Sequence, residues 1–392
     1  MKILFLSQRV PFPPNRGDKI TTWRLIERLA REHTVEIVAF AHDEADVKAA
    51  DDLRAKGFDI ATFSPKAKWQ AAPCFLTGKP ITLGVFGSKE MQTEVDRRIT
   101  SCDMAYAYSS SMGAYYLHHD LPRVMHFAEL DSDKWAQYAK KTSWPMSWVY
   151  AREHRTLFEF EKDLAARTID NVFCTPLEQK IFNERIPGCP SIVMRNGVDL
   201  GLFQPSEATR EPNHLIFVGV MNYYPNVDGC KWFCESILPR VRERHPDVKL
   251  SIVGSHPTPD VEALGKLPGV TVTGFVDDTR DWLNKASVSI APLRIARGIQ
   301  NKVLEAMAMG LPVVGTTSAT QGVDGTPEQD FLLANSETEQ VEAVCRLLDD
   351  QNAAIELGRR ARAFVEANYD WEVCLEPLDD IVARSAGPVV AV

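Results

Sequence analysis

The chain has no apolar run long enough to cross a bilayer, and its opening residues, Met1-Lys-Ile-Leu-Phe-Leu-Ser7, are too short and polar-flanked for a secretory signal. A cytoplasmic location is expected. Paired metal-ligand spacings are also missing: the 8 cysteines are scattered, and Cys230-x-x-x-Cys234 has no second Cys/His pair behind it. Reduced thiols are therefore expected, mostly as core filler. Neither Gly-x-Gly-x-x-Gly nor a Walker lysine pattern occurs, so a nicotinamide cofactor or ATP hydrolysis is not indicated. The net charge of −9 leaves no broad basic field, which makes nucleic acid a poor partner.

What charge there is falls unevenly. Residues 1–195 carry 27 Lys/Arg against 25 Asp/Glu, whereas 196–392 carry 17 against 28. Two stretches of the first half mix cations with aromatics: 54–89, with Lys66, Lys79, Trp69 and Phe75, and 134–155, with Lys140, Lys141, Trp144 and Trp148. Such a mixture suits a membrane surface or an anionic substrate. A solvated loop and a packed aromatic hairpin are the competing readings.

The 392 residues suffice for two domains, each with its own core. Lys2 to Leu6, Val35 to Phe40, Phe58 to Phe63, Met104 to Tyr108 and Arg123 to Phe127 read as buried parallel strands, with helices near 43–56 and 88–100 between them. Alternating β and α implies a mostly parallel sheet covered on both faces. Asp18 is expected to cap the first helix, placing Arg16 and Gly17 at the carboxyl edge of the sheet, where ligands bind. A long helix is expected over 148–167. Asn196-Gly197 marks a turn, and the rhythm restarts with a strand at Leu215, followed by a loop, Val220 to Asp228. The expected domains are 1–195 and 213–370, joined by a linker over 196–212, with a final helix, Trp371 to Val382, inside a segment 371–392 that crosses back.

The stretch around which the rest is organised runs from Ala291 to Val314. A loop, Pro292 to Gly298, feeds a helix expected over Ile299 to Met309, which Gly310 ends and Pro312 cannot continue. Val303 and Met307 share an apolar stripe, while Asn301, Lys302 and Glu305 stand on a polar edge. Helix N-terminal amides, a close-approach glycine, a lysine and a carboxylate one turn later suit a nucleotide diphosphate: cation for phosphates, acceptors for ribose hydroxyls. A solvated ion pair is the bland alternative, weakened by its place after a strand.

Lys302-Val-Leu-Glu-Ala-Met-Ala-Met-Gly-Leu-Pro-Val-Val314, with Arg195-Asn-Gly-Val-Asp199, resembles the family 4 glycosyltransferases of GT-B fold. Ala296-Arg-Gly-Ile-Gln-Asn-Lys302, Tyr224-Pro-Asn-Val-Asp228 and Asp131-Ser-Asp-Lys-Trp135 are similar to the exosortase-associated (PEP-CTERM system) sugar transferases. The resemblance implies an α/β fold of two Rossmann-like doubly wound domains facing a central cleft. It also implies a retaining, metal-independent sugar transfer from a nucleotide-diphosphate sugar, with no further cofactor, to a lipid-linked or polysaccharide acceptor. Glu305 would take the ribose; Lys302 and Arg297 the diphosphate; Gly219, Asn226, Gly298 and Asn301 the rest of the donor; Arg16 and Gly17 the phosphate and acceptor loop; Asp131 and His126 the reacting sugars, although a satisfied interior histidine is the favoured reading of His126.

The chain departs from the family where Val220 and Asn226 replace an arginine and a lysine, and where Arg297 replaces a glutamate. A guanidinium cannot accept from sugar hydroxyls, but it forks onto phosphate. Asp131-Ser-Asp133 has the form of an Asp-x-Asp metal motif, with a helix cap at Asp133 as the plain alternative. A sugar-nucleotide epimerase or hydrolase, and a non-catalytic nucleotide-binding protein, are the rival functions.

Overall fold

Apolar runs without polar alternation need cover on both faces, and here they build two parallel sheets. The computed structural model describes residues 1–206, 210–296 and 298–386, leaving aside the side chains of Lys68 and Leu76. It divides into two units: Met1–Arg195 joined by the segment from Leu375, and Asn196–Cys374. In the first, strands β1 (Lys2–Ser7), β2 (Thr34–Phe40), β3 (Asp59–Phe63), β4 (Met104–Tyr108), β5 (Arg123–Ala128), β6 (Asp170–Phe173) and β7 (Ser191–Val193) take the order β3-β2-β1-β4-β5-β6-β7. In the second, β8 (His214–Val218), β9 (Lys249–Val253), β10 (Val270–Val272), β11 (Val288–Ala291), β12 (Val313–Gly315) and β13 (Leu332–Leu333) run β10-β9-β8-β11-β12-β13. Every named pairing is parallel.

Both orders reverse direction once, between β1 and β4 and between β8 and β11. At such a switch point the flanking loops diverge, opening a crevice beyond the carboxyl ends of the strands. Ser7 and Tyr108 end the strands at the first crevice, Val218 and Ala291 at the second. Helices cover both faces of each sheet, and each unit keeps its own apolar core.

Several boundaries move for identifiable reasons. Asp18 is not the first cap: Arg16 holds that place in extended backbone, and the helix opens at Gly17. The loop expected over 220–228 is cut short by a helix starting at Tyr224, with Pro225 in its first turn. That helix widens into a π turn, Phe233–Ile237, ahead of Pro239, which has no N–H for the carbonyl four residues back. Pro377 likewise divides the expected final helix into Trp371–Cys374 and Glu376–Ser385. The later piece belongs to the first unit, where Arg28 pairs with Asp379 at 2.6 Å and Arg384 with Asp170 at 2.5 Å.

The stretch 196–212 is not a free connector. Val198 N–H donates to Tyr369 O at 2.8 Å, and Arg210 reaches Met309 O at 2.6 Å, so its described part is packed into the second unit. Short helices at Lys68–Ala71, Cys74–Thr77, Ile81–Val85 and Pro259–Leu264 were not anticipated, being too brief to show a period. Among the described residues, no helix is long and apolar enough to cross a membrane.

Candidate active site

The second crevice is built from three chain segments. Beyond β8, Gly219 N–H bonds to Val253 O at 3.0 Å, which pins the loop over the neighbouring strand. Beyond β11, Thr316 Oγ1 donates to Leu293 O at 2.5 Å and holds that loop to the end of β12. The helix Asn301–Ala308 follows, shorter than expected because Gln300, its N-cap, stays extended. Val303, Leu304, Ala306, Met307 and Ala308 are buried, which turns Lys302 and Glu305 toward the opposite, half-buried side.

There Lys302 Nζ donates to Asn226 Oδ1 at 2.5 Å, and Asn226 Nδ2 donates to Val220 O at 2.9 Å. The ammonium also lies 4.6 Å from the centre of the Phe217 ring. Gly219 leaves room at this spot: a Cβ would come within 2.7 Å of Asn226 Nδ2 and 3.0 Å of Lys302 Nζ and would displace them. Gly219, Asn226 and Lys302, distant in sequence, thus form one constellation. The departure at Asn226 acquires a reason, since its amide oxygen holds the lysine that carries the charge.

Burial sets the electrostatics. It lowers the Lys302 ammonium to about 8, with Cys230 and Glu305 opposing the shift. Burial likewise raises the Glu305 carboxyl to about 7, against the pull of Lys302. A cation this poorly hydrated binds a diphosphate oxygen more strongly than a surface lysine does, because less water must be displaced.

Around this centre, Gly298 has φ +67 and packs against Gly322, and Gln321 Nε2 donates to Ala296 O at 2.8 Å. Asn301 opens the helix. Arg297 lies outside the described residues. The ion pair of Arg294 with Asp228, 2.5 Å, crosses from the β11 loop to the helix after β8 and was missed in the sequence, where the two stand far apart.

In the first unit Arg16 Nε donates to Asp18 Oδ1 at 2.6 Å, and a Cβ at Gly17 would meet nothing within 4 Å. Asp131 is the first residue of the helix Asp131–Lys141 and accepts from Ser110 Oγ at 2.9 Å and Ser109 Oγ at 3.3 Å. Asp133 is therefore no cap: it pairs with Arg185, so the two carboxylates of the Asp-x-Asp pattern go to different partners. His126 stands within β5, wholly buried, with Nδ1 2.8 Å from Tyr106 Oη and Nε2 without a partner. Burial lowers it to about 3, so it is a neutral interior histidine rather than a group at the strand end.

Sequence reasoning missed Glu161. Fully buried on the helix Met146–Ala165, it accepts from Ser132 N–H at 3.3 Å, serving the helix whose own N-cap, Leu130, has no polar side chain. Its signal was available: Leu157, Glu161 and Leu164 share one buried stripe. Burial, and then Asp131, push its carboxyl up to about 8. Folded protein keeps this proton to about pH 8, whereas an unfolded glutamate releases it near its ordinary value of 4.5. Stability is therefore lost as pH rises from that value through the folded one, and the loss levels off above. Glu161→Gln should raise the melting temperature by an amount that widens up to about pH 8 and then stays constant. Calorimetry showing a gap independent of pH would remove the buried proton from the account.

Residues 212–350 match the family model described as "Glycosyl transferases group 1". The matched residues lie within the second unit. The fold of the chain is α/β, with two Rossmann-like units of the GT-B class. It superposes on a sucrose-phosphate synthase from Thermosynechococcus elongatus with TM-score 0.72 and 17% identity, over 98% of this chain and 99% of that one, a likeness that shows the fold alone. Among curated sequences, a phosphatidyl-myo-inositol mannosyltransferase of Propionibacterium freudenreichii subsp. shermanii is 28% identical over 196 residues, 47% of this chain and 49% of that protein. A GDP-mannose-dependent monoacylated alpha-(1-6)-phosphatidylinositol monomannoside mannosyltransferase of Corynebacterium glutamicum is 29% identical over 164 residues, 37% of this chain and 41% of that protein. The matches span about half the length of these relatives or less. Within the matched residues lie Gly219, Asn226, Lys302 and Glu305, the residues that stand around the second crevice.

Proposed function

We propose that the protein transfers a sugar from a nucleotide-diphosphate sugar to a lipid-linked or polysaccharide acceptor, as part of envelope or exopolysaccharide synthesis. The observation that carries this reading is the Lys302 ammonium, held by Asn226 over Gly219 at the switch point of a group 1 domain, with Glu305 one turn along the helix. Ribose hydroxyls donate to Glu305; the diphosphate takes Lys302 and Arg297. As the C1–O bond to the diphosphate breaks, negative charge collects beside a cation already in place, which lowers the barrier.

In the retaining form of the reaction, the acceptor oxygen joins C1 on the face the diphosphate leaves. The acceptor proton passes to the departing phosphate oxygen, so no separate carboxylate base is needed, and the charge is carried by Lys302 in place of a metal. Asp131, aimed by Ser110, positions the acceptor hydroxyl. The lipid-linked acceptor is supported by the inositol-lipid mannosyltransferases among the relatives, and the PEP-CTERM setting by the motifs at 131–135, 224–228 and 296–302. Work at the inner face of the cytoplasmic membrane follows from such an acceptor.

The test is calorimetric titration of the protein with UDP, GDP and ADP in chelator, beside Glu305→Ala. One nucleotide is expected to bind, weakened in the variant by ~1.5–3 kcal/mol, the range for hydrogen bonds to a charged group. Binding that waits for a divalent ion would shift attention to Asp131 and Asp133 and count against the metal-free donor site.

A further inference from the structure

The two basic, aromatic stretches of the first half meet in the fold. Arg152 Nη2 donates to Cys74 O at 2.7 Å, and its guanidinium lies 5.0 Å from the Phe75 ring. Phe75 stacks on Trp148 at 6.3 Å, and Glu153 accepts from Ile81 N–H at 2.6 Å and Thr82 N–H at 2.8 Å. The short helices between 68 and 85 are thereby clamped onto the start of the helix Met146–Ala165. Trp135 and Tyr150, stacked at 5.4 Å, lock the preceding helix to the same place. One surface results from two segments some 70 residues apart in the chain.

This surface leaves large apolar side chains in solvent: Trp69 is 76% exposed and Trp144 81%, with Trp148, Phe75, Tyr138 and Met146 beside them in the two segments. A soluble face rarely leaves so many uncovered together. Its charge is one-sided. Residues 60–89 and 134–152 contain no Asp or Glu, and Lys66, Lys79, Lys140 and Lys141 are exposed there, in a chain of net charge −9. Of the carboxylates that border these segments, Glu153 is buried and committed to backbone amides, and Asp133 pairs with Arg185.

We infer that this composite face docks on an anionic lipid bilayer, its tryptophans at headgroup depth and its lysines on lipid phosphates. Tryptophan favours that depth because its ring is apolar and its indole N–H is wet. The inference deepens the proposed function by naming the surface that meets the membrane, yet it stands on geometry separate from the donor site.

Full-length protein is sedimented with vesicles of phosphatidylcholine containing roughly one-third phosphatidylglycerol, and with pure phosphatidylcholine. Binding is expected to the anionic vesicles, with blue-shifted tryptophan emission, and to fall as salt rises. Trp69→Ser/Trp144→Ser, which removes two rings that pack on little, should weaken partition at least about ten-fold, and Lys140→Glu/Lys141→Glu should abolish it while circular dichroism and nucleotide titration stay unchanged. Equal binding to both vesicle types, no binding, or variants that bind as the parent does would overturn the inference. Retention on heparin without vesicle binding would overturn it too, assigning the face to an acidic polymer. Vesicle binding by protein that takes no nucleotide would sink the transferase reading and leave this one standing.

Discussion

Replacing Lys302 by alanine is expected to lower kcat/KM by about 10²–10³-fold, the usual consequence of removing one preorganised charge from a developing anion. The fold should survive. Lys302 is a half-buried cation that has lost part of its hydration, so its removal relieves a desolvation cost while leaving Asn226 Oδ1 short of one donor. Lys302→Arg should not rescue activity, because Phe217 and Asn226 close around an ammonium, and a planar guanidinium needs more room. Turnover by Lys302→Ala at the parent rate would remove the donor site from this crevice.

The same residues predict a pH profile. With its ammonium lowered to about 8, Lys302 loses its charge as pH rises through that value, and nucleotide affinity should fall about ten-fold per pH unit above it. Binding near pH 8 should take up a proton, visible as a dependence of calorimetric heat on the buffer's ionisation enthalpy. Glu305, raised to about 7, is protonated below that point and then accepts less well from ribose, giving an acid flank that Glu305→Gln should erase.

Gly254→Ala is expected to cost at least about 3 kcal/mol, by adding backbone strain to direct overlap. Gly254 has φ +148, where residues with a Cβ are strained, and its Cβ would fall 1.7 Å from Gly219 O. Melting should drop by roughly 6–12 °C for a unit of this size. Nucleotide binding should vanish with it even where the protein remains folded, since Gly219 moves away from Asn226 and Lys302. Gly17→Ala is the control: apart from its chain neighbours and its own helix backbone, no protein atom lies within 4 Å of the added methyl, so stability should hold, and any change in turnover reports on the ligand rather than the fold.

How much of this was legible depends on the range of the interaction. Lys302 and Glu305 stand one helical turn apart after a strand, and that spacing places them on one edge without tertiary information. Arg294 and Asp228 meet across 66 residues, and no local period encodes their encounter. His126 had two readings, a group near the sugar by resemblance and, favoured over it, an interior histidine; the strand continues to Ala128 and buries the imidazole beside Tyr106, in line with the second. Glu161 reads as solvated in a charged helix unless its place on the stripe of Leu157 and Leu164 is weighed, and the helix that it serves is set by packing alone.

By itself the sequence determined the α/β class, the strand-and-helix order, the division near residue 195, and that Lys302 and Glu305 share one helix edge. These rest on hydrophobic period, proline and glycine punctuation, and contacts within one helical turn. Only the tertiary structure decided that Asn226 holds Lys302, that Gly254 supports Gly219, that Glu161 serves the helix of Asp131, and that two cation-rich stretches make one face. Each of these is a contact between segments distant in the chain. Such contacts are set by how sheets order and helices pack, when burial of apolar surface outweighs the entropy of closing long loops.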